Sequence, residues 1–411
     1  MSSVEGPERK VGPACCGSVG LLDLGALPAE YSWLSWPNGW TPFRGRSQCV
    51  VQTADPAKVR PTAHVWEPIC GPGCERAELL SGPYAFASWT FGSKLQDGDL
   101  LLSIPGLLWD SKGFRMYLAW VFALESDALI GLAASKDCIL GGNAATGRAF
   151  VVVPHPENLP ATLAMGPARP EDGFVFDLYD NPTYAGELFD FASGWGLLHG
   201  TGPVEVSDSL YSSHVTTIDY GRDNTRVTSL GEAGFWSVWP SAGYATLHSW
   251  TRTDGLVTLL QGPWHVNSAA VSPSRLVWLA TQRDAVDRPL RSAQLNSSPF
   301  ATRPSEVVEH AGPVLPATVY GFRVKTGGDW AAVEDIVNDR FHILLVDLRD
   351  GRVFRIRPRA GFQLGLIAMT ATRLVAWESP DQVDASKRYT ALLRYDISET
   401  AASLTPEPAV Q

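Results

Sequence analysis

Hydrophobic positions along this chain recur with a period of two, in short runs. Arg275-Leu-Val-Trp-Leu-Ala-Thr281, Phe341-His-Ile-Leu-Leu-Val-Asp347, Arg373-Leu-Val-Ala-Trp-Glu378 and Tyr389-Thr-Ala-Leu-Leu-Arg-Tyr395 are examples. Each is rich in Val, Leu, Trp or Tyr and bounded by Gly, Pro, Asp or Ser, the signature of strands joined by tight turns. One stretch, Leu118 to Ala134, fits a helix as well, and its flanking β-branched and aromatic residues leave helix and strand both open.

The runs also repeat as a unit: a strand, a turn, a second strand ending in a polar pair, then a third strand. Ala269-Ala-Val-Ser-Pro-Ser-Arg-Leu-Val-Trp278 leads to Leu290-Arg-Ser-Ala-Gln-Leu295. Gly365-Leu-Ile-Ala-Met-Thr-Ala-Thr-Arg-Leu-Val-Ala-Trp377 leads to Tyr389–Asp396, and Phe235-Trp-Ser-Val-Trp-Pro-Ser-Ala-Gly-Tyr-Ala-Thr-Leu-His248 leads to Leu256-Val-Thr-Leu-Leu260. Fainter copies begin near Gly194, Asp329, Tyr84 and Gln48. The interval of roughly 40–50 residues is what four short strands and their turns require.

A lone twisted sheet of this kind leaves two apolar faces and two unpaired edges. Packing copies face to face around an axis buries the faces, and closing the circle removes the exposed ends. The expected fold is therefore all-β, a single β-propeller of seven four-stranded blades, with six to eight possible. Ring closure by a borrowed strand is expected between Arg388-Tyr-Thr-Ala-Leu-Leu-Arg-Tyr-Asp-Ile397 and the N-terminal strands. The domain expectation is a partly disordered N-terminal extension over residues 1–32, the propeller over 33–398, and a frayed tail from Glu399, carrying Pro406 and Pro408, to the end at 411.

Val271-Ser-Pro-Ser-Arg-Leu-Val-Trp278 and Val346-Asp-Leu-Arg-Asp-Gly-Arg-Val353 together resemble the repeat of TolB-like and related WD40-type β-propellers. There a V-S-P-D-G-x-x-L-x-Y strand is followed by D-L-x-T-G. The resemblance spans roughly residues 190 to 397, with Ser274 in place of the usual Asp-Gly pair. It implies the fold and little about function, because such rings host enzymes, adaptors and periplasmic partners alike.

Composition narrows the field. The net charge of −10 repels phosphate backbones and argues against a nucleic-acid partner. The basic cluster Arg349, Arg352, Arg355, Arg357 and Arg359 alternates with apolar residues, as on a half-exposed strand, and is expected to be a solvated sheet face rather than an anion site. No run of 18 apolar residues occurs, so no transmembrane segment is expected. The polar stretch Met1 to Pro13 lacks the apolar centre of a signal peptide, although Cys15-Cys16 fits the remnant of a lipoprotein signal if the true start lies upstream. Cys70-Gly-Pro-Gly-Cys74 suits a small disulfide, with free thiols or a metal half-site as the other readings, while Cys49 and Cys138 sit in apolar runs as buried thiols. A disulfide would favour a secreted, periplasmic or cell-surface location over the cytoplasm. Asn296-Ser-Ser298 has the pattern of a glycosylation sequon.

Strong catalytic motifs are missing: there is no His-Glu-x-x-His and no Gly-x-Ser-x-Gly. Gly142-Asn-Ala-Ala-Thr-Gly-Arg148 imitates a phosphate loop, but Arg148 stands for Lys, Ala149 for the magnesium-binding hydroxyl, and Phe150-Val-Val-Val153 is a strand where a helix should begin. It is a turn on this reading.

One constellation remains. Aligning the repeats sets His199 beside His248, with Glu334 and Glu378 at the same offset and Gln52 as a further member. In a pseudo-symmetric ring, equal offsets lie on a circle. Two imidazoles and two carboxylates at one mouth would hold a divalent metal, with His199 and His248 as its ligands, or act as base and acid. The competing reading has these residues meeting water or bridging blades at strand ends. Among the tryptophans, Trp36, Trp40 and Trp264 lie in loops, where an exposed indole stacks on a sugar ring or a partner's apolar side chain.

The leading expectation is a monomeric binding or scaffold module presenting one loop face to a protein or carbohydrate ligand. The alternatives are an enzyme, a lyase or hydrolase of polysaccharide fragments working through His199, His248, Glu334 and Glu378, and a structural component of an envelope or surface assembly.

Overall fold

In the computed structural model of the chain, strands are described from Trp40–Arg44 onward, and burial is described for residues 66–68, 70–76, 233–236, 246–261, 268–281, 293–316, 323–381 and 391–408. Residues 1–32, Cys15, Cys16 and Trp36 lie outside the described residues, as do the side chains of Cys49, Gln52 and Cys138.

The strands form antiparallel sheets in chain order. Four-stranded meanders cover residues 139–180, 190–219, 224–261, 264–315 and 324–356. The last sheet joins Phe362–Met369, Arg373–Pro380 and Ala391–Asp396 to Cys74–Glu78, a strand drawn from more than 300 residues earlier in the chain. First strands meet from sheet to sheet: Asn224–Leu230 touches Trp264–Val271, which touches Val324–Gly327, which touches Phe362–Met369, and this last reaches Gly92–Gln96 in the N-terminal sheet. The chain is a β-propeller, closed by the borrowed strand that the sequence led one to expect.

The sheet at residues 40–135 departs from the four-stranded pattern. Its seven strands are built around the 12-residue strand Asp99–Asp110, which is long enough to pair with both Tyr84–Ser88 and Gly92–Gln96 along one edge. The stretch from Leu118 to Ala134 lies in this sheet as the strands Arg115–Ala123 and Ala128–Ser135, paired antiparallel.

Alternation explains the packing. In Arg275–Arg283, Leu276, Trp278 and Ala280 pack with Phe235 and Leu247 of the preceding sheet, while Val277 and Leu279 pack with Val333, Leu344 and Val346 of the following one. The 324–356 sheet does the same one step on: Ile343, Leu345 and Phe354 join Leu364, Leu366, Leu374 and Tyr395. Both faces of the 264–315 and 324–356 sheets are thus apolar, which corrects the period-two reading there: their central strands are continuous hydrophobic runs whose alternate residues serve opposite neighbours. Trp236 and Trp278 are fully buried. At ~25 cal/mol per Å² and 150–250 Å² each, they contribute roughly 4–6 kcal/mol apiece.

Two local readings are revised. From Glu399 to Ser403 the tail is not frayed: Ile397–Ser403 is a helix capped by the Asp396 carboxylate, which accepts from the Glu399 N–H at 3.0 Å, and Ile397, Thr400 and Ala401 are buried. Asn296 of the sequon is 3% exposed within Pro289–Pro299, so the folded chain cannot present it to a glycan. The arginine cluster is largely solvent-facing, as expected, with only Arg355 enclosed, and carboxylates brace it: Arg349 and Arg352 on Asp347, Arg352 on Asp350, Arg355 on Asp335 and Glu407, and Arg359 on Glu378. The phosphate-loop mimic is a hairpin connection, with Ile139–Asn143 and Arg148–Val153 paired so that Asn143 faces Arg148.

Candidate functional site

One end of the 324–396 region gathers polar side chains. It is set by the two-residue hairpin at Asn338 and Asp339, whose φ values of 51° and 61° suit Asn and Asp better than other non-glycine residues. Strand Trp330–Val337 carries Glu334 and Asp335 toward this turn, Arg340–Asp347 brings His342 back, and Arg373–Pro380 delivers Glu378 in the neighbouring sheet.

Glu334 is 4% exposed and bridges sheets. Its Oε1 accepts the Leu366 N–H at 2.8 Å, and the Leu366 carbonyl accepts from Arg323 Nη1 at 3.1 Å. The register of the Leu366 strand slips between Leu366 and Ala368, so its neighbouring sheet attends to backbone groups at an irregular point.

Glu378 is equally enclosed. Arg76 Nε donates to its Oε2 at 3.1 Å, and Arg359 donates to Oε1 at 2.9 Å and to Oε2 at 2.7 Å. One carboxylate thereby ties the borrowed strand, the linker after Ile356 and the body of the last sheet. Its charge, together with burial, pushes the Tyr395 phenol well above the ordinary range, burial being the larger cause.

Asp335 is fully buried and pairs with Arg355, while its Oδ1 has no hydrogen-bond partner among the described residues. His342 lies directly across from it in the sheet, with Nδ1 likewise unpartnered there. Burial, then the positive charge of Arg355, lowers the His342 pKa, and Asp335 opposes the shift. Arg340 Nε stands 2.8 Å from Asp381 Oδ2, linking this sheet to the next.

The proposed His/Glu circle comes apart on strand order. His199 ends the second strand of its sheet, and Glu334 and Glu378 also sit on second strands, but His248 lies on a third strand, Thr246–Thr251. The His248 ring stays within its own sheet, with Nε2 3.0 Å from Thr246 Oγ1 and its edge toward Trp236 at 6.1 Å. The side chain of His199 is outside the described residues, as are those of Trp40 and Trp264, which begin the strands Trp40–Arg44 and Trp264–Val271. Among the described residues no group of three or more His, Cys, Asp or Glu side chains is placed to hold a metal ion. Sequence reasoning missed the roles of Arg76, Arg359, Asp335 and His342; Arg76 lies 302 positions from Glu378 and only closure of the ring brings it there, whereas Arg359 comes from the linker 19 residues before it.

At the opposite end, Cys70 and Cys74 form a disulfide with Cα atoms 5.3 Å apart. Its loop packs on the C-terminal helix: Gly73 has φ +68°, and a Cβ there would meet Glu399 Cβ at 2.8 Å. The Gly73 carbonyl accepts the Asp396 N–H at 2.7 Å. Among the described residues no helix is long and apolar enough to cross a membrane.

No protein-family model matches the chain, and no curated protein does. Solved structures do. The β-propeller domain of the Trilobed protease from Pyrococcus furiosus, described as having an open velcro topology, aligns over 76% of this chain and 97% of its own at 7% identity, TM-score 0.48. Kluyveromyces lactis Hsv2 aligns over 77% and 100% at 11% identity, TM-score 0.46. A nidogen/laminin complex matches over 70% and 97% at 11% identity, TM-score 0.37. At these scores the assignment to the β-propellers rests on the sheet order and closure described above.

Proposed function

We propose that this propeller is a binding or scaffold module that presents one loop face to a partner, a protein in the first instance and a carbohydrate in the second. The observation that supports the reading is the state of Glu378, held by two arginines from separate segments. A carboxylate so engaged is a brace, not a free base or nucleophile, and Glu334, committed to a backbone N–H, is another. Such a frame keeps the loops between strands in fixed relation, which lowers the ordering cost of recognition.

Trp36 carries the contact in this proposal, together with Trp40 and Trp264, which open strands rather than lying in loops as expected from sequence. The Cys70–Cys74 bond supports an oxidising compartment, outside the cytoplasm. The test is a panel of purified surface proteins and glycans against the immobilised chain. Alanine at Trp36, Trp40 or Trp264 is expected to weaken a hit by more than about 1 kcal/mol, with Glu334→Gln leaving it unchanged. Turnover of a polysaccharide fragment that Glu334→Gln or Glu378→Gln abolishes in a folded protein would sink the reading.

A further inference from the structure

The outer edge of the 324–356 sheet is not bare. Val353–Ile356 is its last strand, and the chain's own C-terminal segment lies along it: Phe354 bridges to Pro406, and the Glu407 N–H donates to the Val353 carbonyl at 2.7 Å. Glu407 Oε1 also faces Arg355 Nε at 3.1 Å and Arg357 Nη2 at 3.7 Å. Beside this segment runs a groove of ~260 Å³ shared with the outer strand of the preceding sheet, lined by Pro313, Val314, Val353, Arg355, Pro406 and Pro408. Val314 is 39% exposed there, one of the large hydrophobic side chains left open to solvent.

Apart from the pairing of Glu407 with Arg355, whose side chain is 11% exposed, the segment is held by little. In Pro406-Glu407-Pro408 only Glu407 has a backbone N–H, so the tripeptide can donate a single hydrogen bond to the edge. The Arg357 side chain is 72% exposed, which makes its pairing weak. The firm anchor lies earlier, where Leu404 packs against the core beneath the helix. When residues 405–408 leave the edge, Arg355 gives up Glu407 and keeps its pairing with Asp335, and the helix keeps its cap at Asp396.

What the edge recognises is written in its occupant: a segment bridged to the edge strand at Phe354, a carboxylate aimed at Arg355 and Arg357, and prolines on either side that line the groove and ask for no further backbone acceptor. We propose that this edge is a peptide-binding site, held in reserve by residues 405–408, and that an extended peptide of another protein, with Glu between two prolines, takes their place. Addition of a strand to a sheet edge with side-chain pockets for selectivity is an established way to bind peptides. The site is on the rim and is independent of the loop face proposed above.

The experiment uses a chain ending at Leu404 and a fluorescein-labelled peptide, Thr-Pro-Glu-Pro-Ala-Val-Gln, corresponding to residues 405–411. The shortened chain should bind it saturably, with affinity falling as salt rises. Binding should be at least fivefold weaker for the peptide with Glu407→Gln, and at least tenfold weaker for the full chain, which carries its own competitor. A folded shortened chain that ignores the peptide, equal binding by both chains, or indifference to Glu407→Gln would each overturn the proposal. So would a full-length dimer that dissolves on shortening, since a second copy would then be the occupant. Hydrogen exchange on the full chain gives an independent reading: the Glu407 amide should exchange at least a hundredfold faster than that of Leu345, and equal protection would make the segment a permanent strand.

Discussion

Removing the Glu378 carboxylate takes from the Arg76 guanidinium, inside the last sheet, the carboxylate its Nε donates to, and the side chains of the pair are 7% and 2% exposed. A buried cation stripped of its partner costs about 3–5 kcal/mol, so Glu378→Ala should lower the unfolding free energy by that amount in urea titrations. Arg359→Ala removes the outer, 44% exposed partner of the same acid and should cost no more than about 1 kcal/mol. Equal losses would mean that the buried pair is not the brace. His342 makes a second residue-scale prediction. Burial and the charges of Arg355, Arg357 and Arg340 lower its pKa in the fold, against the pull of Asp335. Between that lowered value and the ordinary ~6.5, the unfolded chain binds a proton that the folded chain refuses. Stability should therefore fall as pH drops through this window, and His342→Gln should flatten the slope of midpoint against pH between about 7.5 and 5. At this scale the sequence exposed Glu334 and Glu378 through their shared offset and polar character. It hid their partners, since nothing in a period-two pattern says that Arg76 will lie beside a residue 302 positions later.

Strands and turns were the most legible level, and their one systematic error has a local cause. Two of the aligned units begin at a first strand and turn through Val271-Ser-Pro-Ser-Arg275 or Met369-Thr-Ala-Thr-Arg373, where Ser272 and Thr370 hydroxyls each meet the N–H of the following arginine at 3.2 and 2.9 Å. The third unit begins one strand later, because Val238 to Gly243 joins a second strand to a third. Both connections carry small and turn-forming residues between Trp- and Leu-rich strands, so the text of the chain does not separate them. The slip by a whole strand is what moved His248 into line with Glu378. Elements also carry a packing signature that sequence shows only as a stray glycine. Gly365 faces Trp377 across the sheet, and a Cβ at 365 would stand 1.9 Å from the indole. Gly365→Ala must push the ring aside within a packed sheet, which should cost roughly 1–3 kcal/mol, with Gly71→Ala, where nothing lies within 4 Å, serving as a control for φ strain alone. Thermal unfolding of the two variants separates crowding from backbone strain.

Closure decides how the whole molecule behaves. The borrowed strand pairs with Ala391–Asp396 at five positions and is secured by Arg76 on Glu378, Glu75 on Arg394, and the Cys70–Cys74 loop against the helix. For so short a loop the chain-entropy model gives the disulfide only about 2 kcal/mol, so Cys70→Ser with Cys74→Ser should weaken the protein modestly and leave one cooperative transition. The backbone pairing is a different matter. Arg76 donates its N–H outward to the Glu67 carbonyl at 2.8 Å, so the N–H groups of Glu75 and Ala77 face inward to Ala391–Asp396. Ala77→Pro deletes an inward donor and bars the strand geometry around it, while Ala77→Val keeps both. Once the strand lifts, the Ala391–Asp396 edge shows unpaired N–H and C=O groups, a template for another copy. The expected outcome is that Ala77→Pro, unlike Ala77→Val and the double serine variant, loses more than about 3 kcal/mol and forms concentration-dependent oligomers in size-exclusion chromatography with light scattering. A monomeric Ala77→Pro protein with an unchanged midpoint would show that the ring holds without its borrowed strand, and that the face-to-face packing of the remaining sheets is enough.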